Sequence, residues 1–349
     1  MFEGKDVKVI LANAGTGKTR YIIEEVAKEL ETRRPEEIAF VTFTRKGAEE
    51  GLHRVCSKLM LTPDDLPYFR TLHSLTFHAL GLKATQMFGK LDQRKFNKEF
   101  GYEVNRCEVD TGKVLPTRDS RYLDFYDLER SGALTTRQLA EADIGLGYYH
   151  QLVRKYEEYK ANEHLVDFFD CLIKYVQEGD SLPVRVVYID EAQDISALQW
   201  KVIEKAFCKA EKIVIVGDDK QAIYTYSGAR PDFLIDLSKK FPVEHLSVSY
   251  RIPYSVYKLS VAITNFIGDK TEQKAEPRME NGEGSITQLS ELERLKNFIL
   301  PEDYAENKNE ATWYILSRNN CFLDAPKRLL EENLIPYWTA LIFLHLLQN

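Results

Sequence analysis

Four short apolar runs, at residues 7–11, 38–43, 184–189 and 212–216, are each followed by a stretch whose apolar positions recur every three or four residues. A continuous apolar run of that length suits a strand covered on both faces, and a helix after each strand returns the chain in parallel register. After the first run Ile22, Ile23, Val26, Ala27 and Leu30 share one helical face, and after the second Ala48, Leu52, Val55 and Leu59 do so. Between residues 89 and 146 the texture becomes charged and turn-rich, with short helices as its best signals. This stretch separates strand blocks that otherwise read as one sheet, so it is expected to be an inserted helical subdomain. Helical spacing resumes at 148–160 and 165–176. Beyond Arg251 the pattern predicts a helix over 254–267, a polar loop over 268–284, a strand over 312–316 and a helix over 325–332. No internal repeat is evident.

The junction between the first strand and its helix carries the strongest chemical signal, Ala12-Asn13-Ala14-Gly15-Thr16-Gly17-Lys18-Thr19. Glycines let backbone N–H groups approach phosphate oxygens, and a helix N-terminus adds the positive end of its dipole. Lys18 is placed to reach the β/γ-phosphates of a nucleoside triphosphate, and the Thr19 hydroxyl to ligate Mg²⁺. The first position of this pattern is Ala12 where Gly is usual. A second signal ends the third strand, Asp190-Glu191-Ala192-Gln193-Asp194. Two adjacent carboxylates there suit phosphoryl transfer, Asp190 in the Mg²⁺ shell and Glu191 as base for the attacking water. The fourth strand feeds Gly217-Asp218-Asp219-Lys220-Gln221, which sets the polar Gln221 at a strand C-terminus, where open α/β sheets bind ligands.

Composition narrows the class. The chain has 349 residues, 44% hydrophobic and 29% charged, with a net charge of −7, so nucleic acid would be held in a local groove and not by bulk positive charge. Five scattered cysteines without C-x-x-C spacing read as reduced thiols, and no apolar stretch is long enough for a signal peptide or a membrane span. These features predict a cytoplasmic protein with no membrane association.

Taken in order, the motifs resemble those of superfamily 1 helicases of the UvrD/Rep/PcrA type, N-terminal portion. Motif I is residues 12–19, motif Ia resembles 42–48, motif Ib 71–74, motif II 190–194, motif III 217–229 and motif IV 246–251; residues 316–320 and 335–337 resemble the opening of the second RecA-like domain. The resemblance implies an α/β fold: a RecA-like P-loop NTPase domain at 1–88 and 147–250 (1A), a helical insertion at 89–146 (1B-like), and an incomplete second RecA-like domain at 251–349 (2A-like). It implies ATP and Mg²⁺ as cofactors. Lys18, Asp190, Glu191, Gln221 and Arg251 would be catalytic, Arg251 as an arginine finger, and Thr19 and Asp190 would hold the metal. Ala14, Gly15, Thr16, Gly17, Lys18, Thr19, Arg20 and Tyr250 would bind nucleotide, Tyr250 by stacking on adenine. Phe43, Tyr224 and Tyr226 would stack on bases, while Thr42, Thr44, Lys46, His73 and Ser74 would meet phosphate or sugar.

The chain departs from the family pattern in three places. The eleven residues before Ala12 include no Gln, whereas the family carries an adenine-reading glutamine there, which leaves selectivity among triphosphates open. Motif III reads Tyr226-Ser227-Gly228-Ala229 where the family has Trp-Arg before Gly-Ala. Motifs V and VI have no counterpart after residue 337, and residues 340–349 form an apolar, helix-like tail. Two functions stay open at this point. One is an ATP-dependent translocase or helicase acting 3′ to 5′ on single-stranded DNA or a single-strand/duplex junction. The other is a truncated nucleotide- and DNA-binding module without unwinding activity, or one that needs a partner chain to supply the second domain's motifs.

Overall fold

Each apolar run becomes a strand because side chains on alternate faces enter two different cores. In the computed structural model, which describes residues 2–106, 116–135, 138, 145–268, 270–272, 274–289, 291, 314–316 and 320–332, the strands are β1 (Asp6–Leu11), β2 (Ile38–Thr42), β3 (Phe69–Thr71), β4 (Val186–Ile189), β5 (Lys212–Gly217) and β6 (Val243–His245). They form one sheet in the order β3-β2-β4-β5-β1-β6, parallel throughout. Val9, Val41, Ile189 and Ile215 point to one face, and Ile10, Phe40, Tyr188 and Val216 to the other. Helices α1 (Lys18–Glu29) and α2 (Arg45–Leu59) cover the second face through Ile22, Val26 and Val55. The first face is covered by α3 (Leu72–Ala79) and by helices that follow the insertion.

The stretch predicted to be an insertion holds α4 (Lys90–Phe100) and α5 (Arg118–Ser131), with α6 (Leu146–Asn162) packed beside them. Their shared core is aromatic: Phe96, Tyr102, Tyr122, Tyr149, Tyr156 and Tyr159. Then α7 (Phe168–Glu178), α8 (Ala197–Ala206) and α9 (Pro231–Lys240) return to the sheet and bury Tyr175, Trp200 and Leu234. The start of α7 is set by Asp167, whose carboxylate accepts the Asp170 N–H at 2.9 Å. Arg130 from α5 and Lys160 from α6 meet Asp167 and Asp170 there at 2.6–3.0 Å, a buried ion network that joins three helices.

After the sheet come β7 (Val248–Ser249), α10 (Tyr254–Thr264) and β8 (Glu276–Pro277). The polar stretch 268–284, expected as loop, contains β8, which pairs in parallel with β7. The pairing needs two residues and backbone atoms alone, so no hydrophobic pattern announces it.

The chain divides into two compact units. The first takes in residues 1–105 and 116–284. The second contributes to the described residues mainly α11 (Asp324–Glu332), which buries Pro326 and Leu330. Of the strand expected at 312–316, residues 314–316 are described and carry no strand pairing. Residues 317–319, 335–337 and the tail 340–349 lie outside the described residues.

Candidate functional site

The glycine loop leaves the sheet where the Ala12 N–H donates to Gly217 O at 3.1 Å. Gly15 (φ +75°) and Gly17 (φ +84°) both occupy the left-handed region, which lets the loop turn back and start α1 at Lys18. No side chain caps that N-terminus, so its amides remain available to an anion. The loop is also tied to the ribbon after β7. The Tyr250 N–H donates to Gly15 O at 2.8 Å, and the Ser249 hydroxyl donates to Ala14 O at 2.9 Å.

Charge gathers beside the loop. The Lys18 ammonium donates to Glu191 Oε2 at 2.7 Å. Burial strips hydration from Lys18, but Glu191 and Asp190 outweigh that and hold its pKa above the ordinary value. Burial and the neighbouring Glu191 charge push Asp190 up to about 7. Glu191 keeps its charge more firmly: burial opposes ionisation, yet Lys18 and the Gln193 amide hold its pKa below the ordinary value. Asp194 is likewise pushed up to about 7 by burial and Glu191. Gln193, which sequence reasoning did not single out, links these groups. Its amide donates to Glu191 at 2.9 Å, and its carbonyl accepts the Asp218 N–H at 3.0 Å. Its position inside the run Asp190–Asp194 was the available signal.

Gln221 stands at the end of β5 and donates to Asp218 Oδ2 at 2.6 Å, the same oxygen that accepts Asn13 Nδ2 at 3.1 Å. Arg251 is exposed beside Gly15, and Tyr250 is half exposed with the Arg278 guanidinium 5.4 Å from its ring. Arg20 turns along its own helix, donating to Glu24 at 2.8 Å. A cavity of about 160 Å³ opens between Asn13, Asp218, Lys220, Gln221, Ser249 and Tyr257.

A second surface lies at the ends of β2 and β3. Phe43 and Tyr224 stand 5.0 Å apart, and Tyr224 and Tyr226 6.1 Å apart, each partly exposed. Lys46 is exposed beside them, while the Thr44 hydroxyl accepts the Gly47 N–H at 3.0 Å and caps α2. Thr42 is buried, and its hydroxyl has no hydrogen-bond partner among the described residues. His73 meets Phe168 edge-on at 5.8 Å; burial pushes it down to about 4 against the pull of Asp167 and Asp127, so it is neutral at pH 7. The Ser74 N–H donates to Thr71 Oγ1 at 3.3 Å at the start of α3.

Residues 3–242 match the family model of the UvrD/REP helicase N-terminal domain. The chain belongs to the UvrD/Rep helicase family. The ATP-dependent DNA helicase Rep of Escherichia coli (strain K12) is 25% identical over 362 residues, covering 94% of this chain and 52% of Rep. The ATP-dependent DNA helicase PcrA of Leuconostoc citreum is 25% identical over 361 residues, covering 94% of this chain and 46% of PcrA. The chain spans about half the length of the curated relatives it matches.

For a UvrD/Rep family member, the six-stranded parallel sheet with helices on both faces is the expected RecA-like α/β domain. The structure brings the glycine loop, Asp190, Glu191, Gln221 and the Tyr250-Arg251 ribbon to one end of that sheet. The aromatic cluster follows the turn after β5, and Tyr224 lies near enough to Asp194 and Glu191 to feel their charges. Cys56, Cys171 and Cys208 are free thiols, and Cys107 and Cys321 fall outside the residues whose side chains are described. No helix among the described residues is long and apolar enough to cross a membrane.

Proposed function

We propose that this chain is the nucleotide- and DNA-binding motor portion of an ATP-dependent helicase or translocase of the UvrD type, moving 3′ to 5′ on single-stranded DNA or from a single-strand/duplex junction. The observation that carries this reading is the 2.7 Å Lys18–Glu191 pair beside the loop that Tyr250 and Ser249 grip. A phosphate-seeking cation, a carboxylate that stays ionised and an exposed arginine thereby gather from three distant segments.

In this reading the backbone of Ala14, Gly15, Thr16 and Gly17 cradles the phosphates, and Lys18 leaves Glu191 for the β/γ oxygens. Glu191 then accepts the proton of the attacking water. Gln221 and Arg251 meet the γ-phosphate, Tyr250 stacks on the base, and Arg20 lies near base or sugar. Three carboxylates, Asp190, Glu191 and Asp194, face one ammonium, an excess of enclosed negative charge that fits a divalent cation held by Thr19 and Asp190. When bound, Mg²⁺ neutralises charge on the phosphate oxygens. Phe43, Tyr224 and Tyr226 form the stacking platform for DNA bases, with Thr42, Thr44, Lys46, His73 and Ser74 along the backbone track. Residues 1–88 and 147–250 correspond to domain 1A, 89–146 to a 1B-like insertion, and 251–349 to the start of 2A.

The test is ATP turnover with and without oligo-dT, on this chain and on Glu191→Gln. DNA-stimulated turnover that falls about 100-fold or more in Glu191→Gln supports the motor reading. Nucleotide and DNA binding without turnover supports a module completed by a partner chain. Absence of both binding and stimulation overturns both.

A further inference from the structure

At the end of β5 two adjacent carboxylates face opposite neighbours. Asp218 accepts from Asn13, Gln221 and the Lys220 N–H at 3.1, 2.6 and 3.2 Å, so it joins the glycine loop to Gln221. Asp219 accepts the Thr271 N–H at 3.0 Å, and its other oxygen takes the Thr271 hydroxyl and stands 3.3 Å from the Lys220 ammonium. Lys220 Nζ closes the triangle on Thr271 Oγ1 at 3.0 Å and lies 3.7 Å from Asp218; its side chain is 4% exposed. Exposed ion pairs contribute little, whereas breaking a buried one leaves its partners uncompensated.

Thr271 lies between α10 and β8, and β8 pairs with β7, whose last residue precedes Tyr250 and Arg251. Lys220 therefore touches, through one carboxylate, the group that orients Gln221 and, through the other, the segment that backs the Arg251 ribbon. Both sides line the cavity of about 160 Å³ next to the loop. We propose that Lys220 and Thr271 are positioning residues for the ATP site, a strap that pins the Tyr250-Arg251 ribbon to the turn bearing Gln221. The strap sets the distance across which the two side chains meet a γ-phosphate, as preorganised sites require. This inference rests on the nucleotide reading above.

The test measures affinities of the full chain for ADP and for ATPγS, with Mg²⁺, by displacement of a fluorescent nucleotide. The unmodified chain is expected to prefer ATPγS. Arg251→Ala should cut that preference about tenfold, the loss of one hydrogen bond to a charged group. Thr271→Val and Lys220→Met should cut it roughly threefold to tenfold while ADP affinity stays within about twofold. Thr271→Val added to Arg251→Ala should bring no further loss, because the strap acts through the ribbon. The strap is overturned if Thr271→Val and Lys220→Met keep the preference, if their losses add to that of Arg251→Ala, or if the unmodified chain shows no preference. Thermal melting accompanies each variant, and Thr271→Val, the smaller change, decides the matter if Lys220→Met does not fold. Lys18→Ala separates the two readings: unchanged affinities there overturn the nucleotide site and the strap that rests on it, whereas weakened binding in Lys18→Ala together with an unaltered preference in Thr271→Val overturns the strap alone.

Discussion

Replacing Gly15 with alanine should loosen the Arg251 ribbon, and Gly17→Ala is the matched control. Both glycines have positive φ, +75° and +84°, so each substitution incurs about 1–2 kcal/mol for placing a Cβ in the left-handed region. At Gly17 the added carbon meets nothing nearer than Arg20 Cβ at 3.9 Å, an ordinary contact. At Gly15 it would stand 2.6 Å from Arg251 Cβ and 2.8 Å from Ser249 Oγ. Carbon pairs rest at about 3.5–4.0 Å, so the ribbon must retreat by about 1 Å. That retreat breaks the Tyr250–Gly15 and Ser249–Ala14 hydrogen bonds, each worth about 1 kcal/mol. Gly15→Ala is thus expected to destabilise by about 3–4 kcal/mol and Gly17→Ala by about 1–2 kcal/mol. Urea unfolding gives both values, and ATPγS-over-ADP preference reports the ribbon separately. Equal destabilisation by the two substitutions, or a Gly15→Ala protein with unaltered preference, would refute the close contact between loop and ribbon.

Tyr224→Ala should weaken oligo-dT binding by about 1–3 kcal/mol in fluorescence anisotropy and leave ADP affinity alone; unchanged DNA affinity removes the aromatic platform. Arg130→Met should cost about 3–5 kcal/mol, because Asp127, Asp167 and Asp170 lose a buried partner. Arg185→Met, at a half-exposed pair with Glu211, should cost less than about 1 kcal/mol in the same thermal melts, and similar values for the two would contradict the burial argument. His73 has a depressed folded pKa, so its contribution is full above pH 6.5 and is lost as pH falls towards about 4. That loss amounts to at most about 3 kcal/mol, and unfolding free energies of His73→Gln should fall less steeply over that window than those of the parent; parallel curves refute it.

The central strands were legible because burial on both faces forces every residue to be apolar, as in Val186–Ile189. The short edge strands were not. Phe69-Arg70-Thr71 and Val243-Glu244-His245 each carry a charged or titratable side chain at a partly buried position, which breaks the run. Lys18 and Glu191, 173 residues apart, were expected together because parallel strands deliver their C-terminal ends to one edge. Thr271 and Asp219 follow no such rule. Their meeting depends on where a polar segment settles after α10, and a side-chain hydroxyl leaves no periodic trace. The same holds for His73, whose neutrality comes from burial against the pull of Asp167, while Phe168 meets its ring edge-on, and both of those residues lie about a hundred positions downstream.

The sheet order has a consequence for how the chain is made. β1 is flanked by β5 and β6: Asp6 pairs with Lys212, and Val9 with Val243. At about 5–20 residues per second, translation leaves β1 without either neighbour for roughly 10–40 s. During that interval its apolar residues 7–11 present two unpaired edges, a template for intermolecular pairing. Contacts of such sequence separation also slow folding, since loop-closure entropy is lost before they form. The glycine loop, hung between β1 and the turn after β5, is therefore among the last parts to take shape. Production yield should respond to holdase chaperones and to slower synthesis at low temperature more than to added nucleotide, whose proposed site is incomplete until the sheet closes around β1.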